Sequence, residues 1–479
     1  MSARDEKSAL PQLGDVCVLG IGGTGAAVCR YLAAVGRPRV SSITLYGGKS
    51  SHEGDVTREL EALGVRCVLG TEQIEGSYDL AIVSPGIPEP SAFFRAAKEH
   101  AADVVGEPEF AYRESPSNWV GITGTNGKTT TTTLATQILR AGGMDAEAVG
   151  NIGTIITSRL AGRPESSWFV GELSSFQLAT TSKLHPRVAA IMNVTPDHIE
   201  WHGSMEAYAA AKEKLFANLT PSDLAIVYDG DAWCRAIASR LEQRGLRVCH
   251  VDVDKDPGTP CAAFTHNGKL VVRLDGHDTA LVFVDELPIK GEHNVENALV
   301  ASAIGLELGV DASKVRQALL AFSALEHRIE PCGEVGGVRF VNDSKATNTD
   351  AVEKALTAFP AGTVDLLLGG HDKGTELGSL ARSVVSHCRV AVCYGEAGER
   401  IAQALEKEIG RTHSTSLEVV RAPHMREAFS EACERAHEGD VVLLSPACSS
   451  FDEFHNMEER GELFKKLVAE RVSAGKVRA

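Results

Sequence analysis

The sequence has no long apolar stretch and no closely spaced pair of cysteines. No run approaches the roughly 18 apolar residues that a membrane-spanning helix needs, so we expect no transmembrane segment. The 11 cysteines are scattered, and even the nearest two, Cys388 and Cys393, lack the C-x-x-C spacing of a structural zinc site. Unpaired cysteines in apolar runs are typical of a reducing cytosol, and the charged first residues do not resemble a signal peptide.

The charge balance is acidic, because 64 Asp and Glu residues outnumber 48 Lys and Arg residues and give a net charge of −16. A surface of this sign repels nucleic acid and anionic lipid, so neither is an expected partner. An anionic small-molecule substrate would therefore need a local cluster of positive groups. The hydrophobic share of 43% and the charged share of 23% are ordinary for a globular protein.

Short apolar runs alternate with amphipathic stretches along nearly the whole chain, a pattern typical of an α/β fold with buried parallel strands. We predict strands at Val16–Gly20, Leu80–Ser84, Trp119–Thr123, Trp168–Glu172, Val188–Val194, Leu224–Tyr228, Val338–Asn342, Leu366–Gly370, Val390–Tyr394 and Val441–Ser445. Helical spacing lies between them, as in Thr129–Ala141, Val295–Leu308 and His424–His437.

The chain length of 479 residues leaves room for about three domains. The polar stretch Gly106–Asn118 and the region near Leu325 predict the boundaries, which gives domains 1–106, 107–325 and 326–479. Within the second domain, Asp252–Glu286 is poor in helical signals and alternates in polarity. It predicts a small antiparallel part beside the parallel strands.

A first glycine turn, Gly20–Gly25, follows a strand and opens a helix, which matches the G-x-G-x-x-G pattern. A nicotinamide site also needs an acid about 20 residues further on, and the second strand ends instead in Tyr46–Lys49 without one. The turn therefore favours another phosphate, such as a nucleotide-sugar pyrophosphate, at the helix N-terminus. A purely structural turn between strand and helix is the alternative.

A second glycine turn, Gly121–Thr129, lies between a predicted strand and a helix that begins with five threonines. It departs from the strict P-loop pattern, because Ile122 stands where a second glycine belongs, but Gly124 and Gly127 still let backbone amides wrap a phosphate. Lys128 can reach the β- and γ-phosphates, and the Thr129 hydroxyl can ligate Mg²⁺. The segment predicts a triphosphate site.

Polar side chains follow the next two predicted strands. Glu172 ends one of them, and Asp197 and His198 follow the other. Ligands of open α/β sheets bind at the carboxyl edge of the strands, so these side chains are candidate metal ligands. His202 is expected at the surface or behind the ligands.

A set of short motifs runs through nearly the whole chain. The motifs are GTNGKTT at Gly124–Thr130, GNIG at Gly150–Gly153, NVTPDH at Asn193–His198, YAAAK ending at Lys212, GEHNVENA at Gly291–Ala298 and EHRIE at Glu326–Glu330. Together they resemble the Mur ligase family, the ATP-dependent enzymes that add amino acids in bacterial peptidoglycan synthesis. Four further segments are most similar to its D-glutamate-adding branch: Glu172–Leu178, Asn342–Asn348, Leu368–Gly374 and Leu444–Phe454.

The resemblance implies an ATP-dependent amide-bond-forming ligase that joins D-glutamate to UDP-N-acetylmuramoyl-L-alanine through an acyl phosphate, releasing ADP and phosphate. It implies a uridine-nucleotide-binding Rossmann-like domain, a central P-loop domain and a C-terminal Rossmann-like, amino-acid-binding domain. It further implies a monomer in the cytoplasm that takes part in cell wall biogenesis. Two readings stay open beside it: a ligase of the same family with another amino acid, such as L-glutamate, and a P-loop phosphotransferase.

The resemblance also implies roles for particular residues. The phosphates of ATP would contact Gly124, Thr125, Asn126, Gly127, Lys128, Thr129, Thr130 and Arg328, its adenine Asn294 and Asn297, and its ribose Asp343. One Mg²⁺ would be bound by Thr129 and Glu172, and a second by His198 and a carbamylated Lys212. Thr24, Ser84, Gly86 and Asn151 would bind the nucleotide-linked substrate, and Lys345, Thr347, Lys373, Ser450 and Phe451 the glutamate.

Two positions depart from the family pattern. Many relatives have an acidic and a basic residue where this chain has Tyr46–Lys49, and an aromatic residue often stands where it has Met457. The uracil contacts and one wall of the glutamate pocket are therefore left unassigned. The base that deprotonates the amine is also left open between His198 and a group bound to the metal.

Overall fold

The computed structural model describes residues 10–36, 39–323, 325–413 and 416–478. The segment for which no signal peptide was expected lies largely outside them. By internal packing the chain divides into two compact units, Met1–Phe283 with Glu296–Leu319 and Val284–Val295 with Leu320–Ala479. Across the described residues, no helix combines the length and the apolar character that a bilayer crossing requires.

The first sheet of the first unit is wholly parallel, with the strand order β3-β2-β1-β4-β5. Its strands are β1 (Gly14–Leu19), β2 (Val40–Tyr46), β3 (Arg66–Val68), β4 (Tyr78–Val83) and β5 (Ala101–Gly106). Its helices are α1 (Gly23–Val35), α2 (Asp55–Ala62), α3 (Ala92–His100) and α4 (Glu107–Glu114). The order reverses direction between β1 and β4, and this switch point is where sheets of this kind hold ligands.

The second sheet has nine strands in the order β14-β13-β12-β11-β10-β9-β6-β8-β7. They are β6 (Trp119–Thr123), β7 (Ala146–Gly150), β8 (Trp168–Glu172), β9 (Val188–Ile191), β10 (Leu224–Tyr228), β11 (Arg247–Asp252), β12 (Ala262–His266), β13 (Lys269–Leu274) and β14 (His277–Phe283). The pairs from β7 to β12 are parallel, and β12-β13-β14 are antiparallel, which confirms the predicted antiparallel part.

The helices that accompany the second sheet are α5 (Lys128–Ala141), α6 (Ser175–Ala179), α7 (Ile199–His202), α8 (Met205–Glu213), α9 (Ala232–Gln243), α10 (Glu292–Glu307) and α11 (Ala312–Ala321). Local signals fix several of their starts. Ser174 accepts from the backbone amide of Gln177, whose side chain in turn accepts from the amide of Ser174, so α6 begins with a capping box. Asp231 caps α9 by accepting from the amide of Cys234.

The second unit has a six-stranded sheet in the order β15-β16-β20-β17-β18-β19. Its strands are β15 (Glu330–Val335), β16 (Val338–Asn342), β17 (Val364–Gly369), β18 (Cys388–Tyr394), β19 (Glu418–Arg421) and β20 (Val441–Ala447). Its helices are α12 (Thr349–Leu356), α13 (Gly378–His387), α14 (Gly398–Thr412), α15 (Met425–Arg435) and α16 (Met457–Arg478). Only β15 is antiparallel to its neighbour within this sheet, so the α/β fold class is confirmed.

The polar stretch predicted as the first boundary forms a packed helix, α4. Phe110 joins the core on the first sheet, whereas Ala111 joins the core on the second. The carboxylate of Glu109 is buried and accepts from the backbone amides of Ser182, Lys183 and Leu184 at 2.9–3.0 Å. Because these bonds satisfy a buried charge, an acidic sequence can form an interior helix here. The boundary itself stays a prediction.

Candidate functional site

The second glycine turn is a tight backbone loop between β6 and α5. Gly124 and Gly127 have φ angles of 149° and 83°, which side-chain-bearing residues rarely adopt. A Cβ on Gly127 would lie 2.5 Å from Oδ1 of Asn297, and one on Gly124 would lie 2.8 Å from Cβ of Met192. Only glycine fits at both positions, and the loop ends at the N-terminus of a 14-residue helix, where the helix dipole favours an anion.

Two residues that were not predicted as site residues hold this loop in place. Asn193, just beyond β9, accepts from the amide of Asn126 through Oδ1 at 2.8 Å and from the amide of Thr125 through its carbonyl at 2.8 Å. The Tyr208 hydroxyl lies 3.0 Å from the Thr125 hydroxyl. The position of the polar Asn193 after a predicted strand is a local signal that could have identified it as a site residue. The contact of Tyr208 joins residues 83 positions apart, so no local signal in the sequence indicates it.

Two lysines converge on the same loop carbonyl. Lys128 Nζ donates to the carbonyl of Gly124 at 2.9 Å and to that of Thr125 at 2.8 Å, and Lys212 Nζ donates to the carbonyl of Gly124 at 2.7 Å. Lys212 is buried, with its ammonium group 4.4 Å from the centre of the Tyr208 ring. Burial, followed by repulsion from Lys128, holds the pKa of Lys212 well below its usual range.

Two of the threonines near the start of α5 place their hydroxyls in hydrogen bonds. Thr131 Oγ1 donates to Oδ1 of Asn297 at 3.1 Å, and Thr133 Oγ1 donates to the carbonyl of Thr129 at 2.8 Å. The Thr132 hydroxyl is buried and has no partner among the described residues. Because threonine has a weak helix propensity, α5 depends on the packing of its buried face. The predicted metal ligand Thr129 lies in the first turn of this helix, beside Lys128.

Glu172 ends β8, and only one oxygen of its buried carboxylate has a hydrogen-bond partner among the described residues. Its Oε1 accepts from Nδ2 of Asn151 at 2.8 Å, whereas Oε2 is buried and has no hydrogen-bond partner among the described residues. An unsatisfied buried carboxylate oxygen is costly unless a cation or donor meets it. The arrangement therefore suits a bound cation, and it brings the predicted substrate residue Asn151 against the predicted metal ligand.

His198 lies in a strained turn after β9. Its φ angle is 54°, an uncommon left-handed conformation that is typical of functional sites, and its side chain is 44% exposed. Its ring packs on Phe176, with the centroids 4.7 Å apart. His202 lies behind it with Nε2 at 2.9 Å from the Ser175 hydroxyl, and burial, followed by the charges of Lys212 and His198, lowers the pKa of His202 to about 4.

Of the four residues predicted for the nucleotide-linked substrate, Thr24, Ser84 and Gly86 lie beside the switch point of the first sheet, whereas Asn151 lies at the second sheet. Ser84 follows β4, and its hydroxyl is buried with no partner in the part of the chain that the structure describes. Thr24 lies in the first turn of α1, and Gly86 lies two residues beyond Ser84. A Cβ on Gly20 would lie 2.8 Å from the Ser84 hydroxyl, so the glycine turn and this serine are adjacent.

The second unit places Arg328 in a strained turn. Its neighbours His327 and Ile329 have φ angles of 61° and 45°, which is costly for a β-branched isoleucine. The buried Asp343 accepts from the amide of Ile329 at 3.2 Å and from the Ser445 hydroxyl at 2.8 Å. Burial raises the pKa of Asp343 from 3.8 to about 7.

The raised pKa of Asp343 predicts a stability effect. The carboxyl group of Asp343 binds its proton more tightly in the folded chain than in the unfolded chain. Protonation of Asp343 therefore contributes its full stabilisation of the fold below pH 3.8, and this contribution is lost as the pH rises through about 7. The amide introduced by the substitution Asp343→Asn would mimic the protonated acid at every pH. We expect the stability advantage of this variant over the wild type to grow by roughly 2 kcal/mol between about pH 5 and about pH 8 in urea denaturation. Parallel pH curves for the two proteins would contradict this.

The predicted glutamate residues occupy three loops at the carboxyl edge of the third sheet. Lys373 Nζ, after β17, donates to the carbonyl of Thr347, after β16, at 3.1 Å. Lys345 is exposed in the same loop as Thr347. Beyond β20, Ser450 is buried, whereas Phe451 is 70% exposed.

The predicted residues thus fall into separate groups. The loop 124–130, Asn151, Glu172, His198, Lys212 and Asn297 belong to the first unit, and Asn294, Arg328, Asp343 and the glutamate residues to the second. Asn294 donates to the carbonyl of Lys290 at 2.8 Å. Within the described residues, no three His, Cys, Asp or Glu side chains cluster as a metal site.

A strand, a glycine turn and a helix that begins with lysine, at the carboxyl edge of a mainly parallel sheet, define a P-loop nucleotide-binding protein of the α/β class. Comparison with known protein families identifies the family within this class to which the chain belongs. The Mur ligase middle domain matches residues 122–305, and the Mur ligase glutamate ligase domain matches residues 327–448. The chain belongs to the Mur ligase family.

Two relatives are similar over almost their whole length. The UDP-N-acetylmuramoylalanine–D-glutamate ligase of Pelotomaculum thermopropionicum is 38% identical over 455 residues, which cover 95% of this chain and 97% of the relative. That of Koribacter versatilis is 38% identical over 458 residues, with 95% and 96% covered. The solved structure of MurF from Acinetobacter baumannii shares the fold at a TM-score of 0.59 and 16% identity, covering 94% of this chain and 93% of that one.

Proposed function

We propose that this protein is an ATP-dependent ligase that joins D-glutamate to UDP-N-acetylmuramoyl-L-alanine in peptidoglycan precursor synthesis. The similarity over 95% of the chain to relatives named for this reaction is the observation that supports it most. The glycine loop 124–128, with its lysine and helix N-terminus, supports ATP as the energy source.

The proposed chemistry converts a carboxylate oxygen, which is a poor leaving group, into phosphate, which is a good one. A carboxylate is a poor electrophile, so the γ-phosphoryl group of ATP first moves to the terminal carboxylate of the muramoyl substrate, which gives an acyl phosphate and ADP. The amine nitrogen of D-glutamate then attacks the carbonyl carbon, and the C–O bond to phosphate breaks through a tetrahedral intermediate. The products are an amide and phosphate, and the amine proton passes to a base, which stays open between His198 and a group bound to the metal.

The protein contributes mainly positioning and charge neutralisation. We propose that Lys128 and the loop amides bind the phosphates and that Arg328 neutralises charge on the γ-phosphate. In this proposal Asn294 and Asn297 contact the adenine and Asp343 the ribose. Because the three reactants are assigned to three different domains, we expect domain closure during the reaction.

We propose that Thr129 and Glu172 hold one Mg²⁺, and that His198 and Lys212 hold a second. The unpartnered Oε2 of Glu172 supports the first assignment. An ammonium group repels a cation, whereas a carbamate on Lys212 would be a carboxylate-like ligand. The lowered pKa of Lys212 favours the uncharged amine, which is the form of lysine that reacts with CO₂ to give a carbamate. Bound Mg²⁺ would supply neutralisation of phosphate charge.

The remaining assignments follow the same proposal. Thr24, Ser84, Gly86 and Asn151 would bind the UDP-linked substrate, and Lys345, Thr347, Lys373, Ser450 and Phe451 the glutamate. Domains 1–106, 107–325 and 326–479 would bind the uridine nucleotide, ATP and the amino acid, respectively. We further propose that the protein acts as a monomer in the cytoplasm, where ATP and the nucleotide-linked precursor are available.

A phosphate-release assay with each substrate omitted in turn tests the function. We expect phosphate release only when ATP, Mg²⁺, UDP-N-acetylmuramoyl-L-alanine and D-glutamate are all present, with the amide product visible by mass spectrometry. L-Glutamate is the matched control, because it differs only in the configuration of one carbon. We expect it to support less than about a tenth of the rate.

The other outcomes identify the alternatives. Faster turnover with L-glutamate than with D-glutamate would show that the substrate is L-glutamate, and the assignment as an amide-bond-forming ligase would stand. Phosphate release that needs no amine would indicate a P-loop phosphotransferase or hydrolase and would overturn the proposed ligase activity.

A further inference from the structure

A buried arginine lies at the centre of the three loops of the second unit that follow β16, β17 and β20. Arg460, in the first turns of α16, has no solvent exposure. Arginine is almost never fully buried unless its donors and its charge are both compensated. None of the motifs that indicate the function includes this residue.

The guanidinium of Arg460 ties two of these loops together. Its Nε and one terminal nitrogen donate to the hydroxyl and the carbonyl of Ser344, at 3.0 and 2.9 Å. Its other terminal nitrogen donates to the carbonyls of Cys448 and Ser449, at 3.1 and 3.3 Å. The third loop passes close by, because a Cβ on Gly370 would lie only 3.1 Å from the guanidinium.

The charge of Arg460 has no anionic partner. Its hydrogen bonds all go to neutral oxygens, and no carboxylate in the described ranges lies within 4.0 Å of it in an ion pair. Asp343 is near enough to feel its charge but lies beyond that distance. A buried cation of this kind is costly, which points to a role for Arg460 beyond filling space in the core.

The two tied loops bear the residues assigned to the amino acid. Ser344 is followed by Lys345 and Thr347, and Ser449 is followed by Ser450. The five donors of a planar guanidinium can hold four oxygens in fixed relative positions, whereas the ammonium of lysine cannot reproduce that geometry. The positive charge also favours an anion near these loops.

Resting on the proposed function, we propose that Arg460 is a positioning residue that fixes the loops after β16 and β20 against each other and so sets the binding geometry for the carboxylates of the incoming amino acid. It does not itself touch the substrate. Loss of the guanidinium should therefore weaken amino-acid binding selectively.

The test compares Arg460→Lys with Arg389→Lys in the full chain. Arg389 is a matched control, because its guanidinium also bridges elements of this sheet, donating to Asp365 and to the carbonyl of Arg435, both at 2.6 Å, but at the amino ends of the strands. We expect Arg460→Lys to raise the KM for D-glutamate at least about tenfold while the KM for ATP stays within about twofold. For Arg389→Lys, all KM values should stay within about twofold.

Hydrogen exchange provides a measurement that does not depend on turnover. We expect faster exchange in peptides covering 343–348 and 448–451 in Arg460→Lys, and not in Arg389→Lys. An unchanged glutamate KM, an equal rise in every KM, or unchanged exchange in these loops would overturn the proposal. Absence of glutamate-dependent turnover in the wild type would instead refute the proposed function, and the exchange data would still decide whether Arg460 ties the loops.

Discussion

Replacement of Lys128 by alanine is expected to reduce turnover at least about a hundredfold, because it removes the positive charge closest to the proposed phosphates. In the present structure Nζ of Lys128 is held by the carbonyls of Gly124 and Thr125, inside the loop that it would serve. Because the substitution also removes these two hydrogen bonds, the thermal unfolding midpoint should be measured beside turnover to show that the variant is folded. Phosphate release in the complete substrate mixture measures the effect.

The control for this prediction is Lys98→Ala. Lys98 also belongs to the first unit, but its side chain is 58% exposed and lies over the ring of Phe94. Its removal should leave turnover within about twofold. A Lys128→Ala protein with wild-type turnover would refute the P-loop assignment and, with it, ATP binding at this turn.

Lys212 should prove as important as Lys128, for a different reason. We expect Lys212→Met and Lys212→Arg each to lower turnover at least about a hundredfold, because neither side chain can form a carbamate that would hold a cation. Methionine preserves most of the buried volume, and arginine preserves the positive charge. The wild type, incubated with ¹³C-labelled bicarbonate, should show a carbamate carbon signal in NMR that both variants lack.

The variant Lys183→Met is the control that shows whether the effect is specific to Lys212. Lys183 is exposed, and its backbone amide, not its side chain, bonds to Glu109. Lys183→Met should therefore keep both the carbamate signal and turnover. Wild-type activity in Lys212→Arg would show that no modification of this residue is needed, and a second Mg²⁺ would then lack a ligand on α8.

The sequence predicted several strands closely, because their signals are local. Trp119–Thr123, Trp168–Glu172 and Leu224–Tyr228 of the second sheet and Val338–Asn342 of the third have the predicted bounds. The three strands of the second sheet are mainly apolar and buried, which is typical of parallel strands covered on both faces. The run from Val188 is shorter than predicted and ends at Ile191, because the residues beyond it turn away to hold the glycine loop.

What the sequence did not reveal depends on partners far along the chain. Glu109 reaches an amide 75 residues away, and Arg460 reaches a serine 116 residues away. No local pattern distinguishes such residues from exposed charges, since their burial is decided by tertiary packing. The burial of Lys212 also follows from long-range contact, because its ammonium group bonds to a carbonyl 88 residues earlier.

The buried carboxylates of α4 limit how this chain can be divided into fragments. A piece that begins at Asn118 would lack Glu109, leaving three amides at 182–184 without their acceptor. A piece that ends at Gly106 would lack Phe110, which fills the core over the first sheet. Helix α4 therefore contributes to the packing of both the first and the second sheet. A fragment that contains only one of these sheets should include α4 to fold.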